Sequence, residues 1–323
     1  MRELVVLGTA SQAPTRHRNH NGYLLRWDGA DILFDPGEGT QRQMLLADVR
    51  VSSITRICIT HFHGDHCLGL PGLVQRMSLE GAHSPVGLFY PGSGEGYVDN
   101  LLGASVFDDR TDIRRHGVDR DGVADPGPPY VLSAARLAHE PEAYGWRVDE
   151  PAGRTMLPDK LAAAGVHGPA VGALLRHGTV EVPGRPGPVT LEEMSVARPG
   201  QSVAVVMDTG ICDAAFELAH DVDLLVCEAT FSDADAELAR AFHHLTAGQA
   251  ARIAAESGAR RLVITHFSQR YPDESVLLDE ARAIFDDTIA ARDLLRVPVP
   301  SRAQRAPAAQ PGSSSWPAGV KPQ

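Results

Sequence analysis

Short runs of apolar residues recur along the chain, and most of them end in a glycine or in a polar side chain. Runs of this length are typical of β-strands that are buried on both faces, with the glycines marking turns. The predicted strands are LVVLGT (4–9), ADILFDPGEGT (30–40), RICIT (56–60), VLSAARLAH (131–139), SVAVVMDTG (202–210), DLLVCEAT (223–230) and RLVITHF (261–267).

Apolar residues at helical spacing separate several of these strands. The predicted helices are TQRQMLLADV (40–49), DAELARAFHH (235–244) and TAGQAARIAAESG (246–258). Thr246 stands at the position of an N-cap, where its hydroxyl can accept a backbone N–H. Because strands and helices are mixed along the chain, we predict an α/β fold with sheets covered by helices.

Two segments depart from this pattern. Residues 146–188 contain seven glycines and six prolines in 43 positions, without strong periodicity, and they predict an inserted loop or arm. Residues 298–323 are rich in proline, alanine, serine and glycine and have the composition of a disordered tail. We therefore expect one folded domain over residues 1–297, interrupted by the arm, and a C-terminal tail.

Charge and cysteine content narrow the class of protein. A formal net charge of −11 argues mildly against nonspecific nucleic-acid binding, although a local basic patch remains compatible with it. The four cysteines form no CxxC pair, so buried thiols in a reducing cytosol are expected rather than a disulfide framework. The N-terminal run LVVL is too short for a signal peptide or a membrane span, which predicts a cytoplasmic protein.

The stretch THFHGDHCLGLPG (60–72) concentrates potential metal ligands. It directly follows a predicted strand, and three other predicted strands end near a histidine or an aspartate. The candidate ligands are His61, His63, Asp65, His66, His139, Asp208 and His266. A single histidine at a strand end is usually an ordinary surface residue. The assignment of His139, Asp208 and His266 as ligands therefore depends on the cluster formed by His61, His63, Asp65 and His66.

Ligands in open α/β sheets gather at the carboxyl ends of strands. Histidine and aspartate suit zinc or a similar divalent ion, and seven candidates exceed what one tetrahedral zinc takes. They suit two metals that share a bridging carboxylate, an arrangement that favours hydrolysis of a phosphodiester.

The sequence THFHGDH resembles the HxHxDH motif of the metallo-β-lactamase superfamily. Seven further segments occur in an order that resembles the ribonuclease Z family of tRNA 3′-processing endonucleases. They are LGTASQAPTRHRN, LFDPGEGTQRQ, AHE (138–140), MDTG (207–210), CEATF (227–231), HLTAGQAA (244–251) and THFSQRY (265–271). The resemblance implies a four-layer αββα sandwich with the metals at one edge.

The resemblance also implies a role for each candidate residue. His61, His63 and His139 would bind one zinc, Asp65, His66 and His266 would bind the second, and Asp208 would bridge them. Asp65 would also act as general base. His244 would lie near the leaving 3′ oxygen and would be oriented by Glu228. The chain has HLTA and CEAT at these places, where the family often has HEAT for the second, and neither change removes a catalytic side chain.

The family carries a protruding arm with a Gly-Pro motif that grips the tRNA body, and HGPAVGALLRHG (167–178) resembles it at Gly168 and Pro169. The arm holds five Lys or Arg against four Asp or Glu, so it could touch phosphates on an otherwise acidic protein. In SQRY, Arg270 could form a phosphate fork, with Ser268 and Tyr271 beside it; the alternative is a structural turn.

The resemblance implies a zinc-dependent endonuclease, with two Zn²⁺ or other divalent ions per subunit, that acts on precursor tRNA as a homodimer. It would cut on the 3′ side of the discriminator nucleotide and leave a tRNA 3′-hydroxyl and a trailer 5′-phosphate. Two alternatives stay open at this point. One is a hydrolase for a small phosphodiester or a lactone, and the other is an RNA-binding protein without catalysis.

Overall fold

The computed structural model describes residues 2–81 and 84–301 of the chain. Its framework is a pair of seven-stranded mixed β-sheets. Numbered along the chain, the first sheet consists of β1 (Arg2–Gly8), β2 (Gly22–Trp27), β3 (Asp31–Phe34), β4 (Ile54–Cys58), β5 (Val86–Pro91), β6 (Ile113–Val118) and β18 (Arg296–Pro298). The second consists of β7 (Gly122–Asp125), β8 (Val131–Arg136), β9 (Tyr144–Asp149), β14 (Ser202–Val206), β15 (Leu224–Glu228), β16 (Leu262–Thr265) and β17 (Thr288–Ala290).

The order of strands is β18-β1-β2-β3-β4-β5-β6 in the first sheet and β17-β16-β15-β14-β9-β8-β7 in the second. Strands β14 to β17 are parallel, and two antiparallel steps through β9 leave β8 running in the same direction as β14. The carboxyl ends of β8, β14 and β16 therefore meet at one edge of the second sheet.

The continuous apolar runs reflect burial on both faces of the strands. In β14, Val203 and Val205 enter the core between the two sheets, while Ala204 and Val206 enter the core under the outer helices. The predicted strands at 4–9, 30–40, 56–60, 131–139, 202–210, 223–230 and 261–267 are all confirmed. Five of them are shorter than the predicted run, whereas β1 and β4 each begin two residues earlier than predicted.

Helices cover the outer face of each sheet. Those on the first sheet are α1 (Thr40–Leu46), α2 (Gly64–Cys67), α3 (Leu70–Leu79) and α4 (Glu95–Leu102), and those on the second are α8 (Asp213–Ala219), α10 (Ala247–Glu256) and α11 (Ser275–Arg282). The short helix α9 (Ala236–Ala241) precedes α10. The expected four layers are therefore confirmed. Thr246 caps α10 as predicted, because its hydroxyl accepts the N–H of Gln249 at 3.2 Å while the Gln249 side chain binds the Thr246 N–H.

The arm leaves the second sheet after β9 and returns at β14. It contains β10 (Gly153–Met156), α5 (Pro158–Ala163), α6 (Pro169–His177), β11 (Thr179–Val180), β12 (Val189–Thr190), α7 (Leu191–Met194) and β13 (Ser195–Arg198). The expected bounds, 146–188, are wrong at both ends. Trp146 is buried in β9 of the core, and β13 pairs with β10 to close the arm beyond residue 188.

The arm has a small apolar core of its own, around Leu161, Val166 and Leu174, so it is a folded unit rather than an irregular loop. At the other end of the chain, Pro298 closes β18 against β1, which places the first residue of the expected tail in the first sheet. Residues 302–323 of that tail lie outside the described residues. Among the helices in the described ranges, none has the length and apolarity needed to cross a bilayer.

Candidate metal centre

Four strand ends bring the predicted ligands together at one edge of the sandwich. His61 follows β4, and α2 begins right after His63, so that Asp65 and His66 lie in its first turns. His139, Asp208 and His266 follow the ends of β8, β14 and β16. All seven predicted ligands lie in the three overlapping groups of side chains that could hold a metal ion, within the described residues.

The first group surrounds one point with three histidines. His61 Nε2 lies 2.9 Å from His63 Nδ1, and His139 Nε2 lies 3.5 Å from the same His63 atom. Asp208 Oδ2 completes the group at 3.6 Å from His61 Nε2 and 3.9 Å from His139 Nε2. His63 therefore presents Nδ1 to this point, whereas His61 and His139 present Nε2.

The second group lies on the other side of Asp208. The Oδ1 atom of Asp208 is 3.3 Å from His66 Nε2 and 3.2 Å from His266 Nε2. Asp65 Oδ2 lies 3.3 Å from His66 Nε2 and 3.5 Å from His266 Nε2. Because its two oxygens face different groups, the Asp208 carboxylate has the geometry of a bridging ligand.

The donor atoms fit tetrahedral metal ions. Ligands at 2.0–2.1 Å from a tetrahedral zinc are separated by roughly 3.3 Å, and the separations in both groups lie close to that value. Among the described residues, the buried atoms Asp208 Oδ1 and His266 Nε2 have no partner in hydrogen-bond geometry, although they lie 3.2 Å from each other. Such orphaned polar atoms are costly in a protein interior, and a bound cation would satisfy both.

The ring nitrogens that face away from the two groups are held by other side chains or by the backbone. His61 Nδ1 lies 3.0 Å from Thr60 Oγ1, His139 Nδ1 lies 3.1 Å from the His243 carbonyl oxygen, and His266 Nδ1 lies 2.7 Å from Thr230 Oγ1. Such contacts fix the ring orientation and the tautomer that leaves Nε2 free to bind a metal.

Asp35 is a supporting residue that the sequence analysis missed. It is fully buried, and its carboxylate accepts the Thr60 N–H at 2.7 Å and the Thr60 hydroxyl at 2.8 Å. The same carboxylate contacts His66 Nδ1 at 2.8 Å. Asp35 therefore couples both ligand groups through His66 and Thr60. Its position in FDPGEGT, directly after β3, was the available signal.

The electrostatics of the centre favour cations. Burial lowers the pKa of His61, His63 and His139, so these imidazoles are neutral and available as ligands. Burial opposes charge on His66 as well, but the carboxylates of Asp208, Asp65 and Asp35 raise its pKa well above the usual value. The carboxylates thus create a negative potential that one proton on His66 only partly offsets.

His244 and Glu228 form a separate pair beside the metal ligands. His244 Nδ1 lies 2.9 Å from Glu228 Oε1, and His244 Nε2 points back to Asp208 Oδ2 at 3.9 Å. Burial lowers the pKa of His244, but the charges of Glu228 and Asp208 outweigh it and raise the pKa to about 9. His244 therefore carries a proton at neutral pH.

The backbone around His244 departs from the predicted helix. The helix α9 ends at Ala241, and His243 has a left-handed backbone with φ of 54°. This turn brings His244 out of the helical path and places its ring over the cluster, 5.4 Å from the ring of His139 and 5.4 Å from that of His266.

An open cavity of about 660 Å³ lies over the cluster. Its lining includes ligands, His244 and several other side chains, among them Ser11, Gln12, Leu68, Phe242, Ser268 and Gln269. Arg270 is exposed directly after Gln269, and its contact with substrate stays a prediction. The Tyr271 hydroxyl donates to Asp235 and accepts the Ser232 N–H, which ties this segment to the loop before α9.

Gly168 and Pro169 lie at the start of α6 in the arm. Gly168 has φ of 52° and ψ of −125°, a conformation that side chains with a Cβ rarely adopt, and Pro169 occupies the first turn of the helix. The Gly-Pro motif thus sets the direction of α6, while its contact with RNA stays a prediction.

Comparisons with known proteins agree with this centre. A family model described as the metallo-β-lactamase superfamily matches residues 15–266. Ribonuclease Z of Nocardia farcinica is 56% identical over 303 residues, which cover 93% of this chain and 99% of that protein. Ribonuclease Z of Streptomyces avermitilis is 52% identical, covering 94% and 99%.

The crystal structure of the short form of human tRNase Z superposes with a TM-score of 0.67 at 24% identity, covering 92% of this chain and 99% of that one, and supports the fold. The family model and the identity to these relatives together show that the chain belongs to the ribonuclease Z family of the metallo-β-lactamase superfamily.

Proposed function

We propose that this chain is a zinc-dependent endoribonuclease that cleaves precursor tRNA on the 3′ side of the discriminator nucleotide. The observation that carries the proposal is geometric: two groups of metal-ligating side chains on either side of Asp208 and the His244–Glu228 pair lie together at one cavity. The relatives named ribonuclease Z, at 52–56% identity over nearly their whole length, support the same activity.

Two Zn²⁺ ions are the proposed cofactors, one in each ligand group. His61, His63 and His139 would hold the first, Asp65, His66 and His266 the second, and Asp208 would contact both. When bound, such a pair supplies an activated water and offsets the negative charge that develops on the phosphoryl oxygens.

The residues of the chain would move the protons. Asp65 faces the cavity from the second ligand group and would accept a proton from the attacking water. As the new P–O bond forms, the bond from phosphorus to the 3′ oxygen of the discriminator breaks. His244 would donate its Nε2 proton to that oxygen, and the products would be a tRNA 3′-hydroxyl and a trailer 5′-phosphate.

Glu228 would keep His244 charged and correctly turned. It is fully buried, and its carboxylate accepts the Thr209 N–H at 2.9 Å as well as the contact from His244 Nδ1. Because Nδ1 is engaged in this way, the transferable proton would be the one on Nε2, which lies 3.9 Å from Asp208 Oδ2 and would face the reacting phosphate.

The arm would hold the body of the tRNA, far from the cut. A small diester needs no such remote contact, so the arm favours a large substrate over the small-molecule alternative. Exposed basic residues on the arm, among them Arg176 and Arg185, would contact backbone phosphates, with Gly168 and Pro169 at the start of α6.

A homodimer would let one subunit's arm serve the other subunit's site. Helices α1 and α3 lie side by side, since Arg76 donates to the Gln41 carbonyl at 3.0 Å, and they expose Leu45, Leu46 and Leu79 by 66%, 50% and 89%. This apolar surface is the proposed dimer contact. Light scattering on a Leu45→Lys variant should then give a monomer, and an unchanged mass would count against this surface.

The cytoplasm is the proposed location. Cys58, Cys67, Cys212 and Cys227 are all free thiols, which fits a reducing compartment.

The deciding experiment is cleavage of a precursor tRNA with a 3′ trailer, with and without a chelator, mapped to the nucleotide. We expect one chelator-sensitive cut after the discriminator. His63→Ala and Asp208→Ala should abolish it, while His220→Ala, a matched change at an exposed histidine remote from the cavity, should leave it intact. An intact trailer after incubation with the zinc-loaded protein would refute the proposed function.

His244→Ala separates catalysis from metal binding. We expect slower cleavage with two equivalents of zinc still bound. Loss of zinc in this variant would instead identify His244 as a ligand or as a structural support of one.

A further inference from the structure

Phe242 is an exposed aromatic residue beside the metal centre that none of the assigned roles uses. Its side chain is 59% exposed, although burial of a phenylalanine is normally favourable. Within the described residues, the other aromatic side chain with such exposure is Tyr97, at 59%. The two differ in place, because Phe242 lines the cavity over the metal ligands whereas Tyr97 lies on α4, with its ring stacked on Phe62 at 5.4 Å.

The backbone holds Phe242 firmly in this position. Its N–H donates to the Leu238 carbonyl at 3.0 Å, and the His244 N–H donates to the Ala239 carbonyl at 2.8 Å. On the other side, the carbonyl oxygen of His243 contacts His139 Nδ1 at 3.1 Å. Phe242 is therefore fixed on a short turn whose next residues contact a metal ligand and include the proton donor.

The chemistry of the cut says which nucleotide lies nearest to this ring. In the proposed reaction His244 protonates the 3′ oxygen of the discriminator. The discriminator nucleotide would therefore occupy the side of the cavity near His244. The discriminator base is attached to the same ribose as that oxygen. Phe242 precedes His244 by two residues and lines the same cavity, so a base on that ribose would lie on the same side of the cavity as the ring.

We infer that the Phe242 ring stacks on the discriminator base and positions the leaving 3′ oxygen against His244. The inference rests on the proposed function and adds a contact to it. Every base offers a π-face, so such a contact holds a nucleotide in place whatever its identity. This explains how one cavity could accept tRNAs with different discriminators.

The test is a cycle of two proteins and two substrates. Wild type and Phe242→Ala are compared on a precursor tRNA and on the same RNA with an abasic discriminator, and kcat/KM is measured for all four pairs. Removing one base–aromatic stack should cost about 5- to 150-fold. We expect kcat/KM to fall by that factor when either the Phe242 ring or the discriminator base is removed alone. Removing both should lower kcat/KM by less than about a further 2-fold, since the same contact cannot be lost twice.

Two sets of variants separate stacking from a structural effect. Phe242→Tyr and Phe242→Trp should retain activity, whereas Phe242→Leu, which keeps the apolar bulk, should lose it. Tyr97→Ala removes an equally exposed aromatic ring outside the cavity and should cleave like wild type. Zinc content and melting temperature are measured for each protein.

Independent losses that multiply in the cycle would overturn the assignment, as would Phe242→Leu cleaving as fast as Phe242→Tyr. If Phe242→Ala proves unstable, the comparison of Leu with Tyr and Trp still decides. An intact trailer with the wild-type protein would refute the proposed function itself and this assignment with it, whereas a correct wild-type cut without coupling in the cycle would refute the assignment alone.

Discussion

Replacing Glu228 by glutamine should change the pH dependence of cleavage more than its maximum rate. The amide is nearly isosteric and can keep an oxygen toward the Thr209 N–H and His244 Nδ1, which Glu228 now contacts at 2.9 Å each. The change removes the negative charge. It also replaces Oε2, which accepts the Thr230 hydroxyl and N–H, by an NH2 group, so zinc content is measured alongside because Thr230 also contacts His266 Nδ1. Among the groups that raise the pKa of His244, Glu228 contributes most, against the opposing effect of burial.

The size of the effect follows from the distance. An opposite charge in hydrogen-bond contact shifts a pKa by roughly 1–3 units, so a pKa of about 9 in the wild type should fall to ~7 in Glu228→Gln. A general acid works only while protonated, and activity is lost as the pH rises through that pKa. At pH 8 the protonated fraction falls from ~90% to ~10%, a loss of about 10-fold, whereas at pH 6 both proteins are ~90% protonated or more.

The assay is single-turnover cleavage of a precursor tRNA between pH 5.5 and 9.5, with zinc content measured at each pH. A substrate with sulfur in place of the leaving 3′ oxygen is the control, because a thiolate leaves without protonation, and it should remove most of the difference between the two proteins. A pH-independent loss in Glu228→Gln, or a loss that the sulfur substrate does not relieve, would refute the role assigned to the His244–Glu228 pair.

Three further perturbations test the supports of the site. Asp35→Asn should weaken zinc binding by about 10- to 100-fold, because it removes the negative charge that holds His66 Nδ1. Competition with a chromophoric chelator measures the zinc affinity, and an unchanged affinity would contradict the supporting role of Asp35. Glu150→Gln should raise KM for precursor tRNA roughly 5-fold, equivalent to about 1 kcal/mol, with kcat little changed, because Glu150 binds Arg198 at the base of the arm and Arg2 of the core at 2.7 Å each. A fall in kcat at unchanged KM would argue against an effect through the arm. Removal of metal by a chelator should lower the melting temperature, and added Zn²⁺ should restore it in proportion to the logarithm of its concentration, since the buried carboxylates then regain their counter-charge.

The sequence alone determined much of this protein. Each buried strand carries apolar residues on both faces, so its run was visible without knowledge of its neighbours, and each ligand follows such a run. His61, His63, Asp65 and His66 lie within six residues, and local spacing was enough to connect them to a metal. The order of the motifs then indicated the family, which the comparisons confirm.

Only the tertiary structure decided how distant residues meet. Asp208 is more than 140 positions from His61, and the assignment of its two oxygens to different ligand groups depends on the order and direction of strands in both sheets. The choice of Nδ1 in His63 and the support of His66 by Asp35 depend in the same way on packing between segments that are separate in sequence.

The two wrong expectations from the sequence, for the arm and for the helix that includes Phe242, also arise from contacts between segments that are distant in the chain. Glycine and proline in residues 146–188 concealed short helices that are stabilised by contacts within the arm, and the buried Trp146 belongs to the core because β9 pairs with β8 and β14. In the sequence, Phe242 has the spacing of one more apolar residue in the helix predicted over residues 235–244. The left-handed turn at His243 ends that helical path and leaves the ring exposed over the metal ligands, because hydrogen bonds to residues outside its local pattern hold the chain there. Local patterns encode burial, whereas the distances that make a catalytic site are set by the packing of the whole sandwich.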